Sequence, residues 1–409
     1  MPSAATLARG QLQSLVRDAI ARSHQVGAAQ LLADAAEDDI RETRAAKAVQ
    51  ASVGGGVGPG GSQSLAGSET SAVQLRGSVN VGQILYDGGR IDRLVDWRTQ
   101  MAESARHGQL NVQEQIALTT VSLAFERSRY QQQGVVYSQY VRKMACLVDA
   151  LQTIVRADRG RASELSQAQK SLQQAEISLA GAQSQLKQTE WRLKRLVGDT
   201  LPSGEGLPSL LLDVEPLPQL VADVERSSEV AALTAQAAAM HHYVDAVAAG
   251  TRAQVGWNVS GTQSWGRGGT RGSVRNSSYA IGINVNIPLT SPGVPPATDA
   301  ARKRARAAEM QRADTIEAKR FRVAEVHEQA LASFDRLRRT EAVLRDSQQV
   351  RNATLQQWQQ LGRRSLFDVM AAEADHFNLR VSVVNALADG QELNANLISL
   401  GRGVSEWLR

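Results

Sequence analysis

The chain repeats itself. Arg22-Ser23-x-x-Val26 returns as Arg226-Ser227-x-x-Val230, and Val81-x-x-x-Leu85-x-x-x-Gly89 returns as Val285-x-x-x-Leu289-x-x-x-Gly293. Glu164-Leu165-x-x-Ala168-Gln169 returns as Asp368-Val369-x-x-Ala372-Glu373. The offset is 204 residues each time (22 to 226, 81 to 285, 164 to 368) in a chain of 409. One such match carries little weight, but three in one register mean that a single plan is used twice. Any fold assigned to one half must therefore suit the other.

Each half reads as helix, strand, strand, long helix, shorter helix. The first repeat occupies residues 1–197, with a helix from Leu12 to near Val49, a strand pair at about 49–86, and helices at about 89–157 and 163–197. Residues 198–218 form a Pro/Gly-rich linker, and the second repeat runs over 219–401. Its strand pair is expected at about 251–290 and its later helices at about 297–361 and 365–401, ahead of a tail at 402–409. The break after the first helix is the run Ala51 to Gly61, which Gly and Pro keep from being helical. No proline interrupts 89–157, so that segment spans about 100 Å as one helix. A helix of that length serves a coiled coil or a tube wall rather than a compact domain.

The helix at 163–197 has the sharpest period. Leu165, Leu172, Leu179, Leu186 and Leu193 lie seven apart, and Ala168, Ala175, Ala182, Thr189 and Leu196 follow three behind. Leu on one seam and Ala on the other permits close helix approach in a left-handed supercoil. In the second repeat the Ala/Leu row persists as Ala372, Leu379, Ala386, Leu393 and Leu400, while its partner row is degraded to Val369, His376, Val383, Gly390 and Leu397.

The strands alternate. Val73, Leu75, Val79 and Val81 oppose Gln74, Arg76, Ser78 and Asn80, and Tyr279, Ile281, Ile283 and Val285 oppose Gly282, Asn284 and Asn286. One apolar and one small polar face suits strands with lipid outside and water inside. An antiparallel sheet lying on a soluble core has the same pattern. Membrane-spanning strands would have to be shared among chains, because four cannot close a barrel and open edges are not tolerated in hydrocarbon. Three copies supply twelve.

Other classes find little support. No run of about 18 apolar residues offers a transmembrane helix. The net charge of +5 is spread, with basic and acidic residues interleaved along the helices, so a solvated helical face is expected and no nucleic-acid site. Cys146 is the only cysteine and is expected to be a buried structural residue. The adjacent pair His241-His242 has poor metal geometry, since neighbours on a helix point about 100° apart. No nucleophile, base or phosphate-loop constellation is present, so neither enzyme activity nor a cofactor or metal is expected. Met1 to Ala5 lack the regions of a signal peptide, so an exported product would need a signal trimmed or missed at the start.

The duplicated order, with Gln83-Ile84-Leu85-Tyr86-Asp87-Gly88-Gly89-Arg90 after the first strand pair, resembles the TolC family of outer-membrane efflux and secretion channels. Ile287-Pro288-Leu289 leading to Ser291-Pro292-Gly293, and Gly362-Arg363-Arg364-Ser365-Leu366-Phe367-Asp368-Val369, carry the likeness into the second repeat. The resemblance implies a mainly α fold with a small β part: a protomer of long coiled-coil helices and four strands, assembling as a trimeric twelve-stranded β-barrel continued by an α-helical tunnel. It further implies an outer-membrane exit duct with a periplasmic extension, opened at its tip by a periplasmic adaptor protein and an inner-membrane ABC or proton-driven transporter. By position, Asp368 matches an acidic residue of the pore constriction, Glu164 holds the corresponding place in the first repeat, and Arg364 matches a tip-closing basic residue. A second family aspartate is Ala371 here and a tip tyrosine is Gln359. Asp368 also suits an N-terminal helix cap, and the two roles are compatible. A soluble coiled-coil scaffold is the alternative to the duct.

Overall fold

The computed structural model describes residues 4–63, 69–267, 273–361 and 365–409. Helices dominate, with one antiparallel sheet. In chain order the elements are α1 (Ala4–Arg22), α2 (His24–Ala45), β1 (Gln50–Gln63), β2 (Glu69–Tyr86), α3 (Arg90–Ala157) and α4 (Ala162–Val197). Then follow α5 (Leu217–Asp223), α6 (Ser228–Ala248), β3 (Gln254–Arg267), β4 (Ser273–Asn286), α7 (Val294–Gln356), α8 (Leu366–Leu400) and the short α9 (Val404–Trp407).

The three repeated motifs fall on structural junctions. Ser23 separates α1 from α2, and its hydroxyl accepts the Val26 N–H at 3.3 Å, so the single helix expected from Leu12 to Val49 is two. Ser227 stands at the matching break before α6. Val26 and Val230, three residues on from each serine, are both buried. The second motif ends in glycine where the long helices begin. In the first repeat, Asp87 is buried and accepts from Gly89 N–H at 3.1 Å and Ile91 N–H at 2.6 Å. Gly88 and Gly89 take φ of +71° and +82°, a left-handed turn that a side chain would resist. In the second repeat, α7 starts at Val294, three residues earlier than the expected 297. Pro295 and Pro296 occupy its first turn, where the missing N–H has no intrahelical acceptor to lose. The third motif opens α4 and α8.

The chain divides into two compact units. One comprises residues 30–108 and 231–313 and holds the sheet. Its helical segments are joined by Trp97 against Tyr243, with ring centroids 5.2 Å apart, and by Arg106 pairing with Glu37 at 2.7 Å. His241 meets Glu309 on α7 at 2.7 Å while His242 faces Asp96 on α3 at 3.9 Å, so the adjacent rings serve different helices.

The other unit comprises residues 1–29, 109–230 and 314–409. Leu12, Val121, Phe125, Leu193 and Ile398 anchor its largest core. Linker residues Leu207 and Leu210 join that core, and their carbonyls accept from the buried Gln391 side chain at 2.8 and 2.7 Å. Asn394 does the same for Leu211 and Asp213, at 3.0 and 2.8 Å. Irregular backbone can thus be buried because two amides on α8 satisfy it. At the C-terminus, Glu114 accepts the Val404 and Ser405 N–H groups. Desolvation raises its pKa, opposed by those hydrogen bonds. Cys146 is exposed, contrary to the buried role expected of it.

On α4 the seam is as read: Ala168, Ala175, Ala182 and Thr189 are buried. The degraded row of α8 is also a buried seam, since Val369, His376, Gly390 and Leu397 are all buried. Its irregularity has a steric cause at Gly390, where a Cβ would lie 2.8 Å from the Phe334 ring. Gly390→Ala should destabilise the protein by about 1–3 kcal/mol through overpacking. A lowered thermal midpoint, recovered on adding Phe334→Leu, is the expected result.

Candidate functional site

Two regions bear on function: the faces of the sheet and the first turns of α4 and α8. The sheet order is β1-β2-β3-β4, all antiparallel. Its register aligns odd-numbered residues on one face: Ala51, Val81, Val259 and Ile281 form one row, and Val53, Val79, Gly261 and Tyr279 the next. This face is apolar yet uncovered. Val53 is 84% exposed, Tyr279 87% and Ile281 77%. The chain's own helices therefore do not use it as a core lid. The even-numbered face carries Ser52, Ser78, Asn80, Asn258, Asn284 and Asn286, and part of it lines a cavity of 440 Å³. Among the described residues, β1 and β4 each pair on one side only.

The second region gathers four helices. Met144, Leu147, Val148 and Leu151 of α3 pack with Ala168 of α4 and with Leu366, Val369 and Met370 of α8. Leu355 of α7 and Trp358, just past its end, pack against this cluster. It brings together the segments that carry both acidic candidates. Asp368 stands in the first turn of α8 and completes a capping box: its carboxylate accepts the Ser365 N–H at 3.2 Å, and its own N–H donates to the Ser365 hydroxyl at 3.2 Å. Glu164 stands in the first turn of α4 and pairs with Arg161 at 3.1 Å, its side chain only 15% exposed. Ala371 and Gln359 are exposed, the latter in a π-helical turn at Gln357–Leu361. Arg364 lies outside the described residues.

Sequence reasoning missed a third charged group beside this cluster. Glu373 on α8 is 0% exposed and faces Lys143 of α3 at 3.3 Å and Arg351 of α7 at 3.8 Å. Tyr140 lies close enough that Glu373 adds to the burial that raises its phenol pKa. His376, one turn on, is buried, and desolvation with Arg351 and Arg380 holds its pKa below the ordinary value. The only sequence signal was a polar residue, His376, in a heptad row that should be apolar.

Comparison with known proteins fits this architecture. The family model for outer membrane efflux proteins matches residues 15–199, which is most of the first repeat. No curated protein matches the sequence. Among solved structures, the chain is similar to a membrane protein from Pseudomonas aeruginosa at 16% identity and a TM-score of 0.82, over 96% of this chain and 92% of that one. It is similar to the outer membrane protein VceC from Vibrio cholerae at 19% identity and a TM-score of 0.78, over 98% and 99% of the two chains. It is also similar to the MtrE outer membrane channel from Neisseria gonorrhoeae, in its open state, at 15% identity and a TM-score of 0.75, over 95% and 88%. The resemblance read from the duplicated motifs is borne out, as is the mainly helical protomer with its four-stranded sheet.

The Glu373 group yields a ranked outcome. Lys143→Met leaves a fully buried carboxylate with Arg351, at 3.8 Å, as its remaining cation and should cost about 3 kcal/mol. Glu373→Leu leaves two partly exposed cations that can hydrate, and should cost clearly less. Thermal midpoints of the two variants give the order, and the reverse order would refute it.

Proposed function

We propose that this chain, matched over its first repeat by the outer membrane efflux protein family, is one of three copies of an outer-membrane exit duct. The duct serves a tripartite efflux or type I secretion assembly. The observation that carries this reading is the sheet: an exposed apolar face, a small polar face and two edges that are unpaired among the described residues. In hydrocarbon the apolar face is an asset and the edges are not, because unpaired backbone groups there go without hydrogen bonds. Three such sheets joined edge to edge give a closed wall of twelve strands, apolar outside and polar within. The long helices, running on from the strands, extend that wall as a periplasmic tunnel. The chain is passive in this scheme, and an inner-membrane pump with its adaptor opens the tip. The channels whose fold it shares support the reading.

Asp368 and Glu164 are the candidates for an acidic constriction, with Arg364 as a tip-closing partner. Three symmetry-related carboxylates in a narrow pore concentrate negative potential and favour cations. The capping box sets the design of the test. Asp368→Asn retains a side-chain oxygen that can accept the Ser365 N–H while removing the charge. Expressed with an export signal, the unmodified chain should be recovered from the outer membrane as a detergent-extracted trimer. In planar bilayers the Asp368→Asn trimer should show lower cation preference and weaker block by multivalent cations at little cost in stability. A salt-soluble product would overturn the duct, and unchanged selectivity would remove Asp368 from the constriction.

A further inference from the structure

The apolar face of the sheet ends in an ordered way. Moving along β4 from Val285 toward the hairpin, the odd-numbered residues are Ile283, Ile281, Tyr279, Ser277 and Arg275. On β4, Tyr279 is the last of the exposed apolar run, whereas Val57 of β1 and Leu75 of β2 remain apolar and exposed farther on. In the next row, Ser277 donates to the Gln263 side-chain oxygen at 3.0 Å, and the Gln263 amide nitrogen has no hydrogen-bond partner among the described residues. The row beyond aligns Val57, Leu75, Trp265 and Arg275. Trp265 is 43% exposed and Arg275 is exposed. Arg275 is the only charged residue among the odd-face residues whose side chains are described.

On the duct reading, spacing along the strand says what this rim meets. Val285 and Arg275 are ten residues apart, about 33 Å along a strand. At the usual tilt of barrel strands that is about 25 Å of height, the thickness of a barrel's apolar band. Trp265 and Arg275 therefore sit where acyl chains give way to headgroups, at the hairpin end, away from the helices. A tryptophan suits that level because its ring is apolar and its N–H is not. An arginine suits it only with an anion nearby, and its planar fork matches phosphate. The rim offers donors: the guanidinium and the indole N–H.

We propose that Arg275 and Trp265 bind phosphate groups of anionic lipid in the outer leaflet, fixing the height of the barrel in the membrane. The proposal rests on the duct reading, which sets the outward direction of the hairpins. The test is native mass spectrometry of the full-length trimer in neutral detergent, titrated with bisphosphorylated lipid A and, separately, with the same lipid dephosphorylated. The trimer should retain the phosphorylated lipid preferentially, and Arg275→Gln should weaken that retention about fivefold, the effect of one arginine at a charged membrane surface. Arg76→Gln, on the polar face, should leave it unchanged. Equal retention of both lipids, equal retention by Arg275→Gln, or an equal loss in Arg76→Gln would each overturn the site while leaving the duct intact. Failure of the unmodified chain to form a trimer would overturn both.

Discussion

The free edges of β1 and β4 are the constraint from which the rest follows. Each edge strand is fourteen residues long and uses only one side for pairing among the described residues. In water such an edge is satisfied by solvent; in hydrocarbon each unpaired group costs several kcal/mol. The apolar face poses the opposite problem, being costly in water and stable in lipid. On the duct reading proposed above, edge-to-edge joining of several copies within a bilayer meets both demands, and membrane insertion is then tied to oligomerisation.

The helices solve a different problem: holding length without bulk. With aromatics at 4% of the sequence, the seams rely on Ala, Leu and Gly rather than large rings. Small residues bring helix axes together, and where a large one intrudes its partner shrinks, as Gly390 does beneath Phe334. Such seams are alike along their length and so poorly specified against slippage by a turn. Buried polar groups supply register. Gln391 and Asn394 can bind the linker carbonyls only when α8 is correctly placed, and Glu373 meets Lys143 and Arg351 only when α3, α7 and α8 are aligned. Buried charge adds little net stability, and its best-attested role is this kind of specification.

Much of this was legible in the sequence because it is periodic. Alternation over Val73–Val81 and Tyr279–Val285 gave the strands and their faces, and the heptads of α4 gave its seam. The offset of 204 residues (22 to 226) gave the junctions, although not what they do. The break at Ser23 was missed because a cap needs one hydroxyl, and the flanking residues favour helix on both sides. The exposure of Cys146 was missed because a helix position does not reveal which face has a neighbour. Glu373 was missed for a related reason: its partners come from two other helices, at positions 143 and 351, and no local pattern links them.

The acidic candidates show where motif and geometry part. Matching motifs place Glu164 and Asp368 at equivalent positions, yet their surroundings differ. Glu164 has Arg161 at 3.1 Å and is largely enclosed, so most of its field is offset within its own helix start. Asp368 gives one oxygen to the Ser365 N–H, a contact that positions the carboxylate at its helix start. Capping is thus no rival to a pore role. A carboxylate fixed by its helix end lies at the same radius in every copy, and a symmetric ring requires that of its members. A mobile side chain would spread its charge over several positions and weaken the focused potential. The duplication supplied two similar sites, and the residues three positions before each acid differ: Arg161 in one repeat, Ser365 in the other.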